Sequence, residues 1–268
     1  MAIILTKPEF MKITIIGSGN VGTALAKRIF SCGHLIHQIY SRELAKAETL
    51  ANAVNAAATD DIKRLDPESD IYILAVNDDA ISAVSNIINP GKGILAHTSG
   101  ATSLRVFEGK HSNYGVFYPL QTFSANLEPD FEELPLCVTG SNSNSLENLA
   151  QLAKSICPNV YIINEEQRKG LHVAAVFVNN FSNFLFSAAY DICEKENLDF
   201  NMLKPLIRQT IRKIETEIPG QVQTGPAARG DEGTIFNHLA WLEEHNPDLS
   251  PIYKMLTTSI LNIKRLKK

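Results

Sequence analysis

The sequence lacks any apolar run approaching the roughly 18 residues that a membrane-spanning helix needs, so we expect no transmembrane segment. It also lacks an excess of one charge, because 25 Lys and Arg residues stand against 29 Asp and Glu residues, a formal net charge of -4 at pH 7. This balance provides no general attraction to nucleic acid or to an anionic membrane surface. We therefore expect neither as a partner.

Short cysteine and histidine motifs are missing as well. The four cysteines are scattered without a CxxC pair, and the seven histidines form no HExxH pattern, so we predict no metal site. No nucleophile elbow is present, which argues against a hydrolase. The opening residues lack the charged front of a signal peptide, and free thiols suit a reducing compartment, so we expect a cytoplasmic protein.

Strand-like and helix-like segments alternate in the first part of the chain. Lys12–Ile16 is predicted as a strand, residues 21–31 as a helix, and residues 70–76 as a buried central strand. Alternation of this kind predicts an α/β fold of the Rossmann type, a doubly wound and mainly parallel sheet covered by helices. After residue 164 the pattern is helical throughout. We therefore predict a Rossmann domain over residues 1–164 and an all-α domain over residues 165–268.

A glycine-rich segment directly follows the first predicted strand and opens the first helix: Gly17, Ser18, Gly19, Asn20, Val21 and Gly22. In a GxGxxG segment the first glycine permits the tight turn, the second lets backbone approach a pyrophosphate, and the third allows close packing of helix on strand. Amide groups at the helix N-terminus then face the phosphates. The segment predicts dinucleotide binding; a tight turn without a ligand is the alternative.

The end of the second predicted strand bears on the choice of dinucleotide. NAD-binding folds usually place Asp or Glu there to accept the ribose hydroxyls. This sequence has Ser41 and Arg42, a hydroxyl and a guanidinium suited to a 2′-phosphate, while Glu43 follows one place later. A serine that caps a helix, followed by a surface arginine, is the structural alternative. We predict NADP as the cofactor, with NAD less favoured.

Two further strand ends carry polar residues. Val76 and Asn77 end a central strand at the face where open parallel sheets bind ligands, so we predict cofactor contacts there, although Asn77 could instead cap the next helix. His97, Ser99 and Gly100 follow the next strand. We predict that they bind the substrate, with Ser99 and backbone amides suited to a carboxylate. A strand-end histidine that is merely hydrogen-bonded is the alternative.

Seven segments form a set: residues 17–22, 41–42, 74–79, 97–100, 118–123, 172–175 with Asn180, and 224–231. Together they resemble the pyrroline-5-carboxylate reductase and 6-phosphogluconate dehydrogenase superfamily, and most closely its uncharacterised branch with a C-terminal helical domain of unknown function. The resemblance implies NADP-dependent hydride transfer, a small-molecule substrate of unknown identity, and a homodimer formed by the helical domains. One departure is Tyr118, where the pattern has His.

The helix predicted from about Glu165 carries the candidate catalytic residues. At about 100° per residue, His172 lies on one line with Asn179 and Asn183, and Asn180 flanks it. The remaining residues are mostly apolar, so we expect the helix to be buried. We predict His172 as the acid–base group and Asn180, which matches the family, as the residue that orients a carbonyl or imine. Hydrogen bonds to other helices or across a dimer are the alternative.

Arg229 lies in a Gly-Pro loop of the last motif. Arg229 is a candidate to bind a substrate carboxylate or the cofactor phosphates, and pairing with Asp231, which would cap the next helix, is the structural alternative that the pattern slightly favours. Two functions then remain for the chain. One is an NADP(H)-dependent oxidoreductase acting on a small polar metabolite, and the other is a non-catalytic dinucleotide-binding sensor or scaffold with the same fold.

Overall fold

The computed structural model describes residues 10–125 and 127–266, and strands alternate with helices through its first part. The strands are β1 (Lys12–Ile16), β2 (Leu35–Tyr40), β3 (Ala57–Thr59), β4 (Ile71–Leu74), β5 (Ile94–His97), β6 (Tyr114–Pro119), β7 (Leu136–Gly140) and β8 (Val160–Ile162). The helices between them are α1 (Asn20–Ser31), α2 (Leu44–Ala53), α3 (Asp78–Ser85) and α4 (Ser143–Ile156). The predicted α/β part of the chain is confirmed.

The eight strands form one sheet in the order β3-β2-β1-β4-β5-β6-β7-β8. Every neighbouring pair is parallel except β6 and β7, which are antiparallel. The chain builds outward from β1 in one direction to β3, then returns to the other side of β1 with β4. The carboxyl ends of β1 and β4 therefore flank a crevice, the place where open sheets of this type bind ligands.

The central strands are buried on both faces because helices cover both. Successive side chains of a strand point to opposite faces, so Ile73 packs in the cluster that contains Leu25 and Ile29 of α1, while Leu74 packs in the cluster that contains Ile81 of α3. Every residue of β4 and β5 is buried. Close packing of this kind fixes the positions of the loops that follow these strands.

The rest of the chain is helical, as the sequence predicts. It comprises α5 (Glu165–Ala175), a π-helical segment (Val176–Phe181), α6 (Ser182–Lys195), α7 (Lys204–Thr216), α8 (Pro226–Arg229), α9 (Glu232–His245) and α10 (Ser250–Leu266). Helix α5 begins at a capping box, in which the Asn164 side chain accepts from the Gln167 amide and the Gln167 side chain accepts from the Asn164 amide. None of the described helices is long and apolar enough to cross a membrane.

Two compact units divide the chain between Val176 and Phe177. We name them the Rossmann unit, up to Val176, and the helical unit, from Phe177 onward. The boundary predicted at residue 164 coincides with the start of α5, but this helix belongs to the Rossmann unit. The reason is that Arg168 and His172 of α5 form hydrogen bonds with the loop after β5 and with β6, respectively.

The expectation that the helix from Glu165 is buried is wrong for the single chain. Side chains along it are exposed, including Val173 at 57%, Phe177 at 63% and Val178 at 75%. The π-helical segment also breaks the uniform 100° step on which the predicted polar stripe depends, because a π-helix has more residues per turn than an α-helix. Asn179 and Asn180 lie in that segment, beyond the point where the angles apply.

Candidate active site

The three motif glycines occupy three different environments. Gly17 has a φ of +114°, and a Cβ atom there would lie 2.2 Å from the carbonyl oxygen of Ala75. A Cβ at Gly22 would lie 2.0 Å from the carbonyl oxygen of Gly17, so this glycine lets α1 pack on the turn. A Cβ at Gly19 would meet nothing within 4 Å. The fold therefore requires the first and third glycines, while the second leaves open space above the backbone.

The open space at Gly19 lies at the N-terminus of α1. Gly19 is the N-cap residue and provides no side-chain cap, and the first turn holds no acidic residue. Free amide groups at a helix N-terminus attract phosphate, and a glycine N-cap lets it come close. The Ser18 and Asn20 side chains bond within the protein, to the Ser41 hydroxyl (2.8 Å) and the Phe123 carbonyl (3.1 Å). The segment can thus hold a pyrophosphate through its backbone.

A groove of about 470 Å³ connects this turn with the other predicted cofactor residues. The fourteen residues that line it come from the ends of β1, β2 and β4 and from the helices that follow: Gly17, Ser18, Gly19, Asn20, Tyr40, Ser41, Arg42, Glu43, Lys46, Ala75, Val76, Asn77, Ala80 and Val84. Two predicted residues do not line it. Gly22 packs against the turn instead, and Val21 follows Asn20 in the first turn of α1.

The end of the groove at β2 is rich in cationic and hydroxyl groups. Ser41 is buried, and its hydroxyl accepts hydrogen bonds from Ser18 and from the Glu43 amide. Arg42 is exposed and forms no ion pair with another described residue. The acid at Glu43 is paired with Lys46, whose ammonium lies 2.7 Å from the carboxylate. An unpaired guanidinium beside a hydroxyl suits a 2′-phosphate, so these residues fit NADP.

Asp78, which directly follows the groove residue Asn77, contacts the loop after β5. Its carboxylate accepts a hydrogen bond of 2.7 Å from the Ser99 hydroxyl. The same hydroxyl accepts from the amides of Ala101 and Thr102, at 3.1 and 2.9 Å. The Ser99 hydroxyl therefore forms three hydrogen bonds within its own loop and with Asp78. It has no further hydrogen to donate to the substrate carboxylate that the sequence suggested. Asn77, next to Asp78, makes no side-chain capping bond to α3.

His97 is completely buried at the end of β5, stacked at a tilt against Phe107. Its Nδ1 accepts a 3.2 Å hydrogen bond from the Ser99 amide, and Nε2 has no partner among the described residues. Burial, together with the nearby Arg168 guanidinium, lowers the pKa of His97 to about 3. A buried neutral ring offers no surface to a substrate. We therefore assign His97 to the support of the loop, the alternative that the sequence left open.

Arg168 also binds the loop after β5, through hydrogen bonds to two of its carbonyl oxygens. The sequence did not predict this role. Its side chain is completely buried and donates to the carbonyl oxygens of Ser99 (2.7 Å) and Thr102 (2.6 Å). Burial lowers the pKa of this guanidinium, with opposing contributions from the charges at Glu165 and Asp78. In the sequence Arg168 belongs to a run of charged residues that is typical of an exposed helix start, so no local signal identifies it.

Gly100 lies directly against the side chains of Tyr118 and His172. The Tyr118 hydroxyl lies 3.1 Å from Nδ1 of His172, and the rings meet edge to face. A Cβ atom at Gly100 would lie 2.5 Å from Nδ1 of His172 and 2.8 Å from Cζ of Tyr118. The predicted residues His172 and Gly100 are thus brought together, and Tyr118 joins them. Among described residues, His172 has Tyr118 as its hydrogen-bonding side-chain partner.

Asn180 and Arg229 lie in the helical unit. Asn180 is exposed within the π-helical segment. The Arg229 guanidinium is 65% exposed and lies 3.9 Å from Asp231, whose carboxylate caps α9 by accepting from the Thr234 amide. The capping role of Asp231 is as predicted, and its ion pair with Arg229 is loose. The structure of this unit alone leaves the Arg229 side chain available to a ligand.

Comparison with known proteins agrees with this geometry. Residues 12–98 match the family described as "NADP oxidoreductase coenzyme F420-dependent", and residues 134–260 match a domain of unknown function, DUF2520. No curated protein matches the chain. Among solved structures, a Bacteroides fragilis protein described provisionally as an NADP oxidoreductase is 37% identical, with a TM-score of 0.85; the match covers 96% of this chain and 100% of that protein.

Two more distant structures share the fold. A Thermotoga maritima protein is 21% identical with a TM-score of 0.74, and the match covers 95% of this chain and 99% of that one. A Plasmodium falciparum pyrroline carboxylate reductase with NADP bound is 14% identical with a TM-score of 0.58, and the match covers 95% and 98%. The resemblance seen in the sequence is confirmed: the chain belongs to the NADP oxidoreductase-like family in which a Rossmann domain is followed by DUF2520.

Proposed function

We propose that this protein is an NADP(H)-dependent oxidoreductase that transfers a hydride to or from a small polar metabolite. The observation that carries the proposal is the hydrogen bond between Asp78 and Ser99, because Asp78 directly follows the groove residue Asn77, and Ser99 precedes Gly100, which lies against His172. Both features lie at the carboxyl edge of one sheet, within the Rossmann unit. An acid–base group beside a cofactor groove is what hydride transfer to C=O or C=N requires.

The chemistry divides between the cofactor and the chain. When bound, NADPH would supply the hydride to the carbon of a carbonyl or imine. The oxygen or nitrogen of that group must then receive a proton, and His172 is the residue we assign to donate it; in the reverse direction it removes the proton. An imidazole suits both directions because its usual pKa is close to neutrality.

We retain Asn180 and Arg229 as candidates for substrate contacts on the chemistry of their side chains. An amide can orient a carbonyl or imine, and a guanidinium can bind a carboxylate in a two-pronged manner. Gly100 and the loop around Ser99 would form the surface on which the substrate rests. A small metabolite with a carbonyl or imine group, with or without a carboxylate, is the substrate class that these groups fit.

We also propose that the helical unit binds a second copy of itself, giving a homodimer. Large apolar side chains are exposed along the π-helical segment and α6, among them Phe181, Phe184 and Leu185. Exposed apolar side chains in this number are typical of a protein–protein interface. Sedimentation at micromolar concentration tests the proposal, since a monomer would contradict it.

Cofactor titration tests the proposed function directly. We expect NADPH to bind more tightly than NADH in a fluorescence titration, because Arg42 and the buried Ser41 end the groove where the adenine ribose of the cofactor would lie. Equal affinity, or a preference for NADH, would contradict the NADP assignment. Failure to bind either dinucleotide would overturn the oxidoreductase proposal as a whole.

A further inference from the structure

In the hydrogen bond between Tyr118 and His172, the burial of Tyr118 determines which group is the donor. The Tyr118 side chain is only 8% exposed, and its hydroxyl makes one hydrogen bond among the described residues, the 3.1 Å contact with Nδ1 of His172. A buried phenol needs an acceptor for its proton, and a neutral imidazole offers one at the nitrogen without hydrogen. Nδ1 is therefore the acceptor, and Tyr118 is the donor.

The protonation of the phenol supports the same direction. Burial raises the pKa of Tyr118 to about 12, and the neighbouring Cys137 contributes in the same sense, so the hydroxyl keeps its proton at neutral pH. A neutral imidazole carries its single hydrogen on one nitrogen. With Nδ1 occupied as an acceptor, that hydrogen lies on Nε2.

The backbone at Gly100 packs against the side chains of Tyr118 and His172. Gly100 leaves room for both rings, and Arg168 fixes its loop through the carbonyl oxygens of Ser99 and Thr102. His172 itself is half-buried on α5, and Nε2 has no hydrogen bond to any of the residues that the structure describes. The ring nitrogen that carries the proton is thus the one left without a partner in the protein.

We propose that Tyr118 is a positioning residue that fixes His172 in the tautomer with hydrogen on Nε2, so that Nε2–H is the group presented to the substrate. The inference rests on the proposed function: as Nε2–H gives its proton to the reduced oxygen or nitrogen, the Tyr118 hydroxyl passes its proton to Nδ1, so the ring stays neutral, and both transfers run backwards in the reverse direction. It also gives a reason for the departure from the family pattern. A second imidazole at position 118 could donate or accept, whereas a phenol with its proton retained donates to Nδ1.

The tautomer can be measured without a substrate. Long-range proton–nitrogen correlation spectra of the full chain, labelled with ¹⁵N-histidine, report which ring nitrogen carries hydrogen; a pH of about 8 keeps an ordinary histidine neutral. The His172→Gln variant assigns the signals. We expect a predominant Nε2–H form in the wild type and a mixture of both tautomers in Tyr118→Phe.

Tyr114→Phe is the matched control, because Tyr114 lies on the same strand, is partly buried, and makes no hydroxyl hydrogen bond to another described residue. It should leave the His172 tautomer unchanged. If Tyr118→Phe fails to fold, Tyr118→His replaces it, and a mixture is again expected. A predominant Nδ1–H form in the wild type, or an unchanged tautomer in the folded Tyr118 variant, would overturn the inference.

Titration of the same samples with NADPH separates the two proposals. We expect the Tyr118 variants to bind NADPH within about twofold of the wild type, because Tyr118 does not line the dinucleotide groove. A wild type that fails to bind NADPH would overturn the proposed function, whatever the tautomer. A wild type that binds NADPH but carries hydrogen on Nδ1 would overturn only the role of Tyr118.

Discussion

The Rossmann unit and the helical unit bury their apolar residues to very different extents. Strands β1, β4 and β5 have nearly every side chain at or near zero exposure. In the described part of the helical unit, by contrast, the buried apolar residues are Cys193, Ala227 and Leu242. Most of the large exposed apolar side chains of the chain also belong to this unit, including Phe236 at 72%.

The difference indicates that the two units obtain their stability in different ways. Apolar burial contributes about 25 cal/mol per Å², so a unit with few buried apolar side chains gains little from its own packing. The Rossmann unit has an extensive buried core, whereas the helical unit exposes most of its large apolar side chains. The groups that we assign to cofactor and proton chemistry lie in the unit with the extensive core.

The largest expected effect tests where the chemistry lies. Each unit contains one histidine bonded to a tyrosine hydroxyl: His172 with Tyr118, and His238 with Tyr253 at 2.8 Å. We expect His172→Ala to bind NADPH normally but to lower NADPH turnover by roughly 100-fold or more with any carbonyl or imine compound that the wild type reduces. His238→Ala is the control and should retain turnover. Unimpaired turnover in His172→Ala would assign that histidine a structural role.

The second prediction concerns the polar end of the dinucleotide groove. Replacing Arg42 by Ala removes a charge-assisted contact to a 2′-phosphate, which should cost about 1.5–3 kcal/mol of NADPH binding and leave NADH binding almost unchanged. Arg105→Ala is the matched control, since Arg105 is exposed in the same unit but outside the groove. Titration with both cofactors measures the effect. An equal loss for NADPH and NADH would show that Arg42 does not recognise the phosphate.

The third prediction tests the exposed face of the helical unit. If a second copy covers this face, Val178→Asp would bury an unpaired carboxylate and should weaken self-association by about tenfold or more. Leu127→Asp places the same charge on a side chain of the Rossmann unit that is equally exposed, at 73%, and should have no effect. Sedimentation velocity over a concentration series distinguishes the two variants. Equal behaviour would contradict the idea that the two surfaces differ.

The fourth prediction concerns acid stability. The pKa of His97 is about 3 in the folded protein, against an ordinary value of 6.5. Below pH 6.5 His97 therefore binds a proton in the unfolded chain while it stays neutral in the folded chain. Its contribution to stability is complete above pH 6.5 and decreases towards pH 3, by up to about 1.4 kcal/mol per pH unit. We measure the free energy of unfolding by urea denaturation at several pH values between 6.5 and 5. This free energy should change less steeply with pH in His97→Gln than in the wild type. His245→Gln, exposed in the helical unit, should retain the wild-type slope.

The sequence predicts the features that depend on local pattern. The strand–turn–helix at Gly17 to Gly22, the buried β4 and the helical second half each follow from periodicity and from glycine placement, and the structure contains all three. The hydrophobic period identifies an element because its residues are neighbours in the chain. The same local reasoning brings Ser41 and Arg42 to the groove.

The contacts that shape the active site are not local and could not be predicted. The hydrogen bonds from Ser99 to Asp78 and from Arg168 to Thr102 join residues 21 and 66 positions apart. Nothing in the local sequence separates the buried Arg168 from its exposed neighbour Lys169. The burial of His97 is unpredictable for the same reason, because a strand end can be open or covered depending on residues elsewhere in the chain, such as Phe107. The π-helical segment leaves no compositional signal either.

Gly19 differs from the other two motif glycines because the fold itself does not require it. Its φ of -73° is accessible to any residue, and a methyl group would touch nothing within 4 Å, so the apoprotein has no steric need for glycine there. A side chain at Gly17 or Gly22 would disrupt the turn whether or not a dinucleotide is bound. A side chain at Gly19 would obstruct only a phosphate that comes close to the backbone. Position 19 therefore distinguishes what a ligand requires from what the fold requires.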